Sequence, residues 1–351
     1  MYILKILVQH KIYSLNKPFV YFSNAKISRG CRVAINFRNQ EIVGFVDEVT
    51  FYDGSKEQYS KEYGFTIKEI DEIIDTDPIL NDELLKLATT LSSYYLYPLI
   101  GVLQTMLPPS LTPKDTTYNA PKIKYQDYYE LNGNIDINLY NKIFQKILKK
   151  FDGRPLIKTS EFNKSKSLDT LIEEGVIVKK SYEVTRYDLH KTFEYENEIT
   201  LNEEQQIAFN EIVNGVNKTY LLKGVTGSGK TEVYFKLIEN TINKGKSVIL
   251  LVPEIALTPL MVSRVLSYFT CGVAVLNSSL TSAQKYDEYR KIANGEAQIV
   301  IGTRSAIFAP NVNLGLIIID EEHDESYKQD DQSLLYNAKE VALIRAKDKD
   351  V

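Results

Sequence analysis

Residues 1 to about 107 carry apolar and polar positions in short alternating runs, "YILKILV", "RVAINF" and "EIVGFVDEV". Alternation at a period of two is the pattern of half-buried antiparallel strands. Turn chemistry separates the runs at Asn16-Lys17-Pro18, Asp53-Gly54 and Tyr63-Gly64, so a small β domain is predicted. From Asn81 the spacing becomes helical in "NDELLKLATTLSSYYLYPLIGVLQTML", with Asn81 as N-cap and Pro98 as an interruption. "LPPSLTPKD" then reads as a linker, because three prolines in six residues fit neither regular element.

Between residues 136 and 190 the pattern predicts three short helices and a β ribbon. "LYNKIFQKILKKF" carries an apolar stripe ending near Gly153, "TSEFN" offers a capped turn, and "SLDTLIEEG" stops at Gly175 before "VIVKKSYEV". This is the layout of a winged helix, which binds DNA in some proteins and is only an interaction module in others. From about Leu201 the strands become continuous apolar runs, "YLLKG", "SVILLV", "VAVLN", "QIVIGT" and "LGLIIID", separated by helix-length segments. That alternation predicts a parallel α/β sheet with ligands at the carboxyl ends of its strands. The expected fold is thus multidomain: a small β domain over 1–107, a winged helix over 115–195, and a parallel-sheet P-loop lobe over 198–351.

Every motif of the last part falls at such a strand end. Gly224, Gly229, Lys230 and Thr231 satisfy GxxxxGK[ST], after the predicted strand "TYLL" and before the helical run "TEVYFKLIENTI". In such a loop, here Gly224, Val225, Thr226, Gly227, Ser228 and Gly229, backbone N–H groups curl around phosphate oxygens and the helix N-terminus adds a positive dipole. Lys230 reaches the outer phosphates, and the Thr231 hydroxyl joins a Mg2+ shell. The second site is "LIIIDEEHDESYKQ". There Asp320 is placed to hold Mg2+ and Glu321 to position and deprotonate an attacking water. Lys230, Asp320 and Glu321 are the predicted catalytic set, with ATP and Mg2+ as cofactors.

Composition alters this picture in one place. The net charge of −4 over 351 residues argues against a protein basic all over, yet nucleic-acid binding needs only a local positive face. Lys142 to Lys180 holds ten Lys/Arg, Lys149 and Lys150 among them, against five Asp/Glu. The balance fits a DNA-binding face and equally a solvated lysine-rich surface. Cys31 and Cys271 lie far apart without zinc or disulfide spacing, and are expected to be buried small residues. No apolar run approaches the ~20 residues of a membrane span and the N-terminus lacks the layout of a signal peptide, so a cytoplasmic protein without membrane contact is expected.

DEEH after a buried strand resembles the second helicase superfamily. "GVTGSGKTEVY", "LVPEIALTP", "IVIGTRSAIFAP" and "DEEHDESYKQ" narrow the resemblance to the PriA family, the primosomal N′ helicases that restart stalled replication forks. "LNEEQQIAFNEI" and "YYLYPLIGVLQTMLPPSL" extend it over most of the chain. The resemblance implies an ATP-dependent 3′–5′ DNA helicase that recognises branched forks and initiates primosome assembly. Its implied partners are forked and single-stranded DNA, primosome and helicase-loading proteins, and single-stranded DNA-binding protein. It places the adenine contact at Gln205, contacts to single-stranded DNA at Pro253, Glu254, Thr303 and Arg304, and the link between ATP site and DNA at His323. In the β domain Phe19 and Lys68 match the pocket for a terminal 3′ nucleotide, although by themselves Phe19 fits a core and Lys68 a solvated surface.

The chain departs from the family pattern at several positions. Val20 and Arg38 replace the usual Asp and Gly of that pocket, Asn277 a usual His, and Leu260 a usual Gln. The loop after DEEH retains Tyr327 and Tyr336 but has no Trp. The sequence stops at Val351, before the family's second helicase lobe, its arginine finger and its zinc-binding cysteines. An arginine finger contributes about 10³ to 10⁵ in rate, so this chain alone is expected to bind DNA and ATP without unwinding. The alternative is a non-catalytic fork-DNA and ATP-binding module.

Overall fold

In the computed structural model, which describes residues 1–8, 17–112, 122–133, 135–187, 199–215, 219–225, 227–330, 334–347 and 351, the alternating N-terminal runs pair into one sheet. Its strands are β1 (Tyr2–Val8), β2 (Phe19–Ser23), β3 (Arg32–Phe37), β4 (Gln40–Phe51), β5 (Lys68–Glu69) and β6 (Glu72–Ile73), in the order β5-β2-β1-β4-β3-β6. All neighbours are antiparallel except β2 and β5. Leu4, Ile6 and Val8 meet Tyr21, Val33, Ile35 and Val46 on one face, while Ile3 and Phe22 pack with Tyr59 and Ile67 on the other. Period-two patterning thus buries both faces.

Tyr63-Gly64 is not a strand turn, contrary to expectation: it ends α1 (Lys56–Tyr63), with Gly64 at φ 76° as the left-handed C-cap. Ser55 and Gln58 form a capping box at its start, so the Ser-x-x-Gln signal marked a helix the alternation concealed. Asn81 does cap α2 (Asp82–Tyr94), its side chain accepting from Leu84 N at 2.9 Å, and Pro98 begins α3 (Leu99–Met106). Asn16 of the Asn-Lys-Pro turn lies outside the described residues.

The second unit, Lys122–Arg186, contains β7 (Tyr125–Leu131), α4 (Lys142–Leu148), β8 (Leu156–Lys158), α5 (Lys166–Glu173) and β9 (Ile177–Glu183). Its antiparallel sheet runs β8-β7-β9. Leu148, Phe151, Ile157, Leu168, Leu171 and Ile177 form its core. Where three short helices and a ribbon are predicted, the described residues of the unit form two α-helices and three 3-10 turns, at Ile137–Leu139, Lys149–Phe151 and Thr159–Glu161. The central strand is β7, which precedes the helices in sequence.

The other unit joins Met1–Pro121 to Tyr187–Val351. Its C-terminal part contains α6 (Glu203–Asn214), α7 (Lys230–Asn243), β10 (Ser247–Leu251), α8 (Pro259–Tyr268), β11 (Val273–Leu276), α9 (Ser282–Ala293), β12 (Ile299–Gly302), β13 (Leu314–Ile319) and α10 (Ala338–Lys347). The strands form an all-parallel sheet, β11-β12-β10-β13, whose central β10 is buried at every position. Four of the five predicted strands are present. "YLLKG" is the exception: residues 219–225 form no strand, and Leu221 is 75 % exposed. A strand exists only where its N–H and C=O groups find a ladder, and β13 is paired on one side only, to β10.

α2 and α3 belong to the same core as this sheet. Leu84, Leu87, Leu91, Ile100 and Leu103 are buried together with Ile249, Leu251, Val300 and Ile307. Polar contacts reinforce the seam. Arg345, 2 % exposed, pairs with Glu83 at 2.7 Å and donates to the carbonyls of Ile307 and Ala309. The Tyr289 hydroxyl donates to Ile79 O at 2.7 Å. Tyr95 donates to Glu340 at 2.8 Å and accepts from Asn337 N at 3.3 Å.

The predicted linker is anchored rather than loose over its described part: Leu107 and Leu111 are buried. Arg32, chelated by Asp75, donates to Leu111 O at 2.7 Å. A buried guanidinium needs all its donors engaged, and the proline-rich stretch supplies one acceptor.

Candidate nucleotide and DNA sites

The phosphate-binding motif leads into α7. Gly227 and Gly229 stand at φ 81° and 79°, left-handed conformations that only glycine adopts freely. Gly229 is the N-cap of α7 and provides no side-chain cap, so the first N–H groups of the helix are open to an anion. Lys230 Nζ donates to Gly224 O at 2.8 Å and Val225 O at 3.4 Å. Gln205 closes a capping box with Asn202 and also donates to Ser228 O at 3.0 Å, so it braces the loop. Thr231 lies in the first turn of α7 beside Lys230, whereas Thr226 lies outside the described residues.

Asp320 follows β13 and takes its position from three directions. Its amide donates to Leu251 O at 2.9 Å, its carboxylate accepts from Glu321 N at 3.1 Å, and its carbonyl accepts from Tyr327 Oη at 2.6 Å. Burial pushes the carboxyl above its usual range, while the Glu321 amide, the Tyr234 hydroxyl and the charge of Lys230 act the other way. Asp320 and Lys230 are therefore within electrostatic reach of each other. Glu321 stands at φ 45°, a conformation that costs a non-glycine residue about 1–3 kcal/mol. Its Oε2 lies 3.7 Å from Nδ1 of His323, which is 78 % exposed.

These residues fit a magnesium nucleotide. Mg2+ is held through one or two protein oxygens with the rest from phosphates and water, and Thr231 and Asp320 supply that number. Among the described residues no group of three or more His, Cys, Asp or Glu could hold a metal ion, so zinc finds no ligand set there. Cys31 is buried with its thiol pushed up to about 11 by desolvation; Cys271 is half-buried with its thiol also raised.

The residues expected to touch single-stranded DNA lie on loops at the carboxyl ends of β10 and β12. Pro253 is buried and Glu254 exposed. Thr303 is 5 % exposed and its amide donates to Leu276 O. Arg304 reaches back to the segment after β13, donating to Ser326 O at 3.3 Å and Lys328 O at 2.8 Å. Tyr327 and Tyr336 are buried and serve the core rather than a surface aromatic loop. Asn277 Oδ1 caps its own turn at Leu280 N, and Leu260 is exposed.

In the β domain Phe19 joins the face of the sheet that holds Tyr21 and Phe37, with its ring edge-on to Phe37 at 4.7 Å. Lys68 pairs with Tyr21 across β2 and β5, two positions along from Phe19, and is exposed. Arg38 stands over the Phe37 ring at 5.4 Å. Val20 packs on the opposite face, with Phe22 and Ile67. Phe19, Lys68 and Arg38 thus share one side of the sheet, and Val20 does not.

In the Lys122–Arg186 unit the positive excess is partly neutralised internally. Arg154, Lys179 and Lys180 pair with Glu161, Asp127 and Glu130 at 2.6–2.7 Å. Lys150 donates to Glu161 O at 3.0 Å and lies 4.6 Å from the Phe162 ring centre. Lys149 is exposed.

Among the described residues no helix is long and apolar enough to cross a membrane. Residues 5–108 match the family described as 3'DNA-binding domain (3'BD), and residues 202–348 match DEAD/DEAH box helicase. The replication restart protein PriA of Bacillus subtilis is 34 % identical over 97 % of this chain and 51 % of its own length. That of Chlamydia muridarum is 35 % identical over 82 % and 40 %. That of Rickettsia prowazekii is 50 % identical over 42 % of the chain and 22 % of its own length. The chain spans about half the length of the Bacillus relative. Shared across both matched regions and the segment between them, this similarity makes the chain a member of the PriA family, corresponding to the N-terminal half of its proteins.

Proposed function

We propose that the chain is the fork-recognising and ATP-binding half of a 3′–5′ DNA helicase that initiates primosome assembly at stalled replication forks. The observation that carries the nucleotide part is the loop itself: Gly227 and Gly229 in left-handed conformations lead into the N-terminus of α7, which has no side-chain cap, with Lys230 Nζ on the carbonyls of Gly224 and Val225. Lys230 exchanges its loop carbonyls for the outer phosphates of ATP, and the uncapped N–H groups of α7 take the remaining oxygens. Bound Mg2+ would neutralise charge developing on the phosphates, with Thr231 and Asp320 as its protein ligands. Gln205, already against the loop, contacts adenine, and Glu321 orients the water. Pro253, Glu254, Thr303, Arg304 and His323 relate strand contact to this site. The β domain receives a DNA 3′ end on its Phe19 and Lys68 side. Helicase loaders and single-stranded DNA-binding protein are the proposed protein partners.

In this reading the chain, which spans about half the length of the Bacillus relative, binds DNA and ATP but does not unwind. The experiment is a fluorescence titration with forks that carry or lack a leading-strand 3′ end, each with and without ATP. Preference for the 3′-end fork supports the β-domain role, and equal affinity for both forks refutes it. In the full-length protein Glu321→Gln is expected to retain ATP binding and lower turnover by about 10²-fold or more. Continued hydrolysis at the original rate excludes Glu321 as the water-positioning group.

The basic segment has its own test. Neutralising Lys149 is expected to flatten the log–log salt dependence of fork affinity by about one unit, the loss of one phosphate contact. Lys150, held by Glu161 O and Phe162, is expected to contribute less. An unchanged slope for Lys149→Ala assigns that lysine to a solvated surface.

A further inference from the structure

We propose that the open face of the sheet β8-β7-β9 is a stacking platform for single-stranded DNA, with Tyr128 as the base-stacking ring and Lys158 and Lys180 as the phosphate contacts. The inference rests on the DNA-binding reading above and goes beyond it by naming a surface and a strand form.

The helices α4 and α5 cover one side of this sheet. Tyr129, Leu131, Ile157 and Ile177 pack there with Leu148 and Leu171. Successive side chains along a strand face opposite sides, so Tyr128 points away from that core. In the central strand it stands directly opposite Lys158 of β8 and Lys180 of β9. Opposed side chains share one face, with Cβ atoms about 5 Å apart. The three residues therefore form one rung, an aromatic ring with an exposed lysine on either side.

Two further residues hold the rung. Tyr182, 36 % exposed, sets its ring edge-on to Tyr128 at 5.8 Å. Glu130 pairs with Lys180 at 2.7 Å and accepts from the Tyr182 hydroxyl at 3.2 Å. An ion pair open to solvent is weak enough to yield to a phosphate. Tyr128 lies outside the basic segment 142–180, so only the fold assembles this group.

Charge and shape select the occupant. Residues 122–186 hold thirteen Lys/Arg against nine Asp/Glu, a net +4 in a chain whose total is −4. That excess attracts a polyanion. A protein interface has an apolar centre depleted of lysine, whereas here two lysines flank the central ring. A duplex keeps its base faces stacked inside, and a single strand offers them to aromatic side chains. The outer lysines are two strand spacings apart, about 10 Å. One base can thus lie over the ring while phosphates on either side meet an ammonium group.

The test titrates the whole chain, without nucleotide, into fluorescent oligothymidine whose 3′ end is blocked by phosphate, so that a 3′-end pocket does not contribute. Tyr128→Ala is expected to lower affinity about 10-fold, the scale of one lost base stack, and Tyr128→Phe to retain it. Affinity for a blocked duplex of the same length is expected to be the same in all three chains. Lys158→Gln is expected to flatten the log–log salt dependence by about 0.7, one single-strand phosphate. An oligonucleotide carrying iodouracil is expected, on irradiation, to leave its adduct on Tyr128 or Tyr182.

Unchanged single-strand affinity in Tyr128→Ala overturns the proposal and leaves this face to a protein partner. Equal loss in Tyr128→Ala and Tyr128→Phe overturns the stacking role. Adducts confined to residues outside 122–186 overturn the platform even where a variant loses affinity by misfolding. A wild-type chain that binds forks but not the blocked single strand overturns the platform and leaves the fork reading intact, whereas failure to bind any DNA removes both.

Discussion

Replacing Arg345 with methionine is expected to destabilise the Met1–Pro121/Tyr187–Val351 unit by about 3–5 kcal/mol, the scale on which removal of one partner from a buried ion pair acts. The Arg345 side chain is fully buried and that of Glu83 is 11 % exposed. Methionine fills much of the same volume but leaves the Glu83 carboxylate in a low-dielectric seam without its cation. It also strips donors from the carbonyls of Ile307 and Ala309, and each unsatisfied acceptor adds to the cost. Urea denaturation reads the effect as a lowered midpoint. Adding Glu83→Leu is expected to recover part of the loss, because the stranded charge disappears while the two carbonyls remain unmet. A single variant within about 1 kcal/mol of wild type would show that water reaches Glu83 and that the seam is not sealed.

Lys230→Ala is expected to lower ATP affinity by about 3 kcal/mol or more, beyond two orders of magnitude, since charged hydrogen bonds to the phosphates vanish together. Fork binding is expected to be retained, because Phe19 and Lys68 belong to the N-terminal sheet and Lys149 to the Lys122–Arg186 unit. The comparison uses the same two titrations, fluorescent nucleotide and labelled fork. Equal loss of both affinities would contradict the division of labour and point to a single shared surface.

The motifs were legible because each depends on local chemistry. Asn81 and Pro98 bound their helices as capping and proline rules require, and the glycines at 227 and 229 stand in conformations their residue type permits. The apolar runs of β10, β12 and β13 needed no more than continuous hydrophobicity to be found. Four features were not legible. "YLLKG" has the composition of a strand, but a strand requires a neighbour that no local pattern specifies. β7 is half-buried from Gln126 onward, and its tyrosines and acids mask the alternation. Burial of Tyr327 and Tyr336 follows from their partners Asp320 and Phe308, each distant from at least one of them in local pattern and set by the tertiary fold. The anchoring of Leu111 by Arg32 spans 79 residues, beyond any periodicity.

The seam that buries α2 and α3 against the parallel sheet makes the proline-rich stretch a poor place to cut the gene. A fragment ending near residue 107 would present Leu84, Leu87, Leu91, Ile100 and Leu103 to solvent as a sticky apolar ridge, and such ridges drive aggregation. For the intact molecule the same feature means stiffness. On the proposed reading, a pull on DNA held by the N-terminal strands would pass through these two helices into the layer of the parallel sheet. Tension on the DNA end would then reach the sheet as a mechanical load carried by packed apolar side chains.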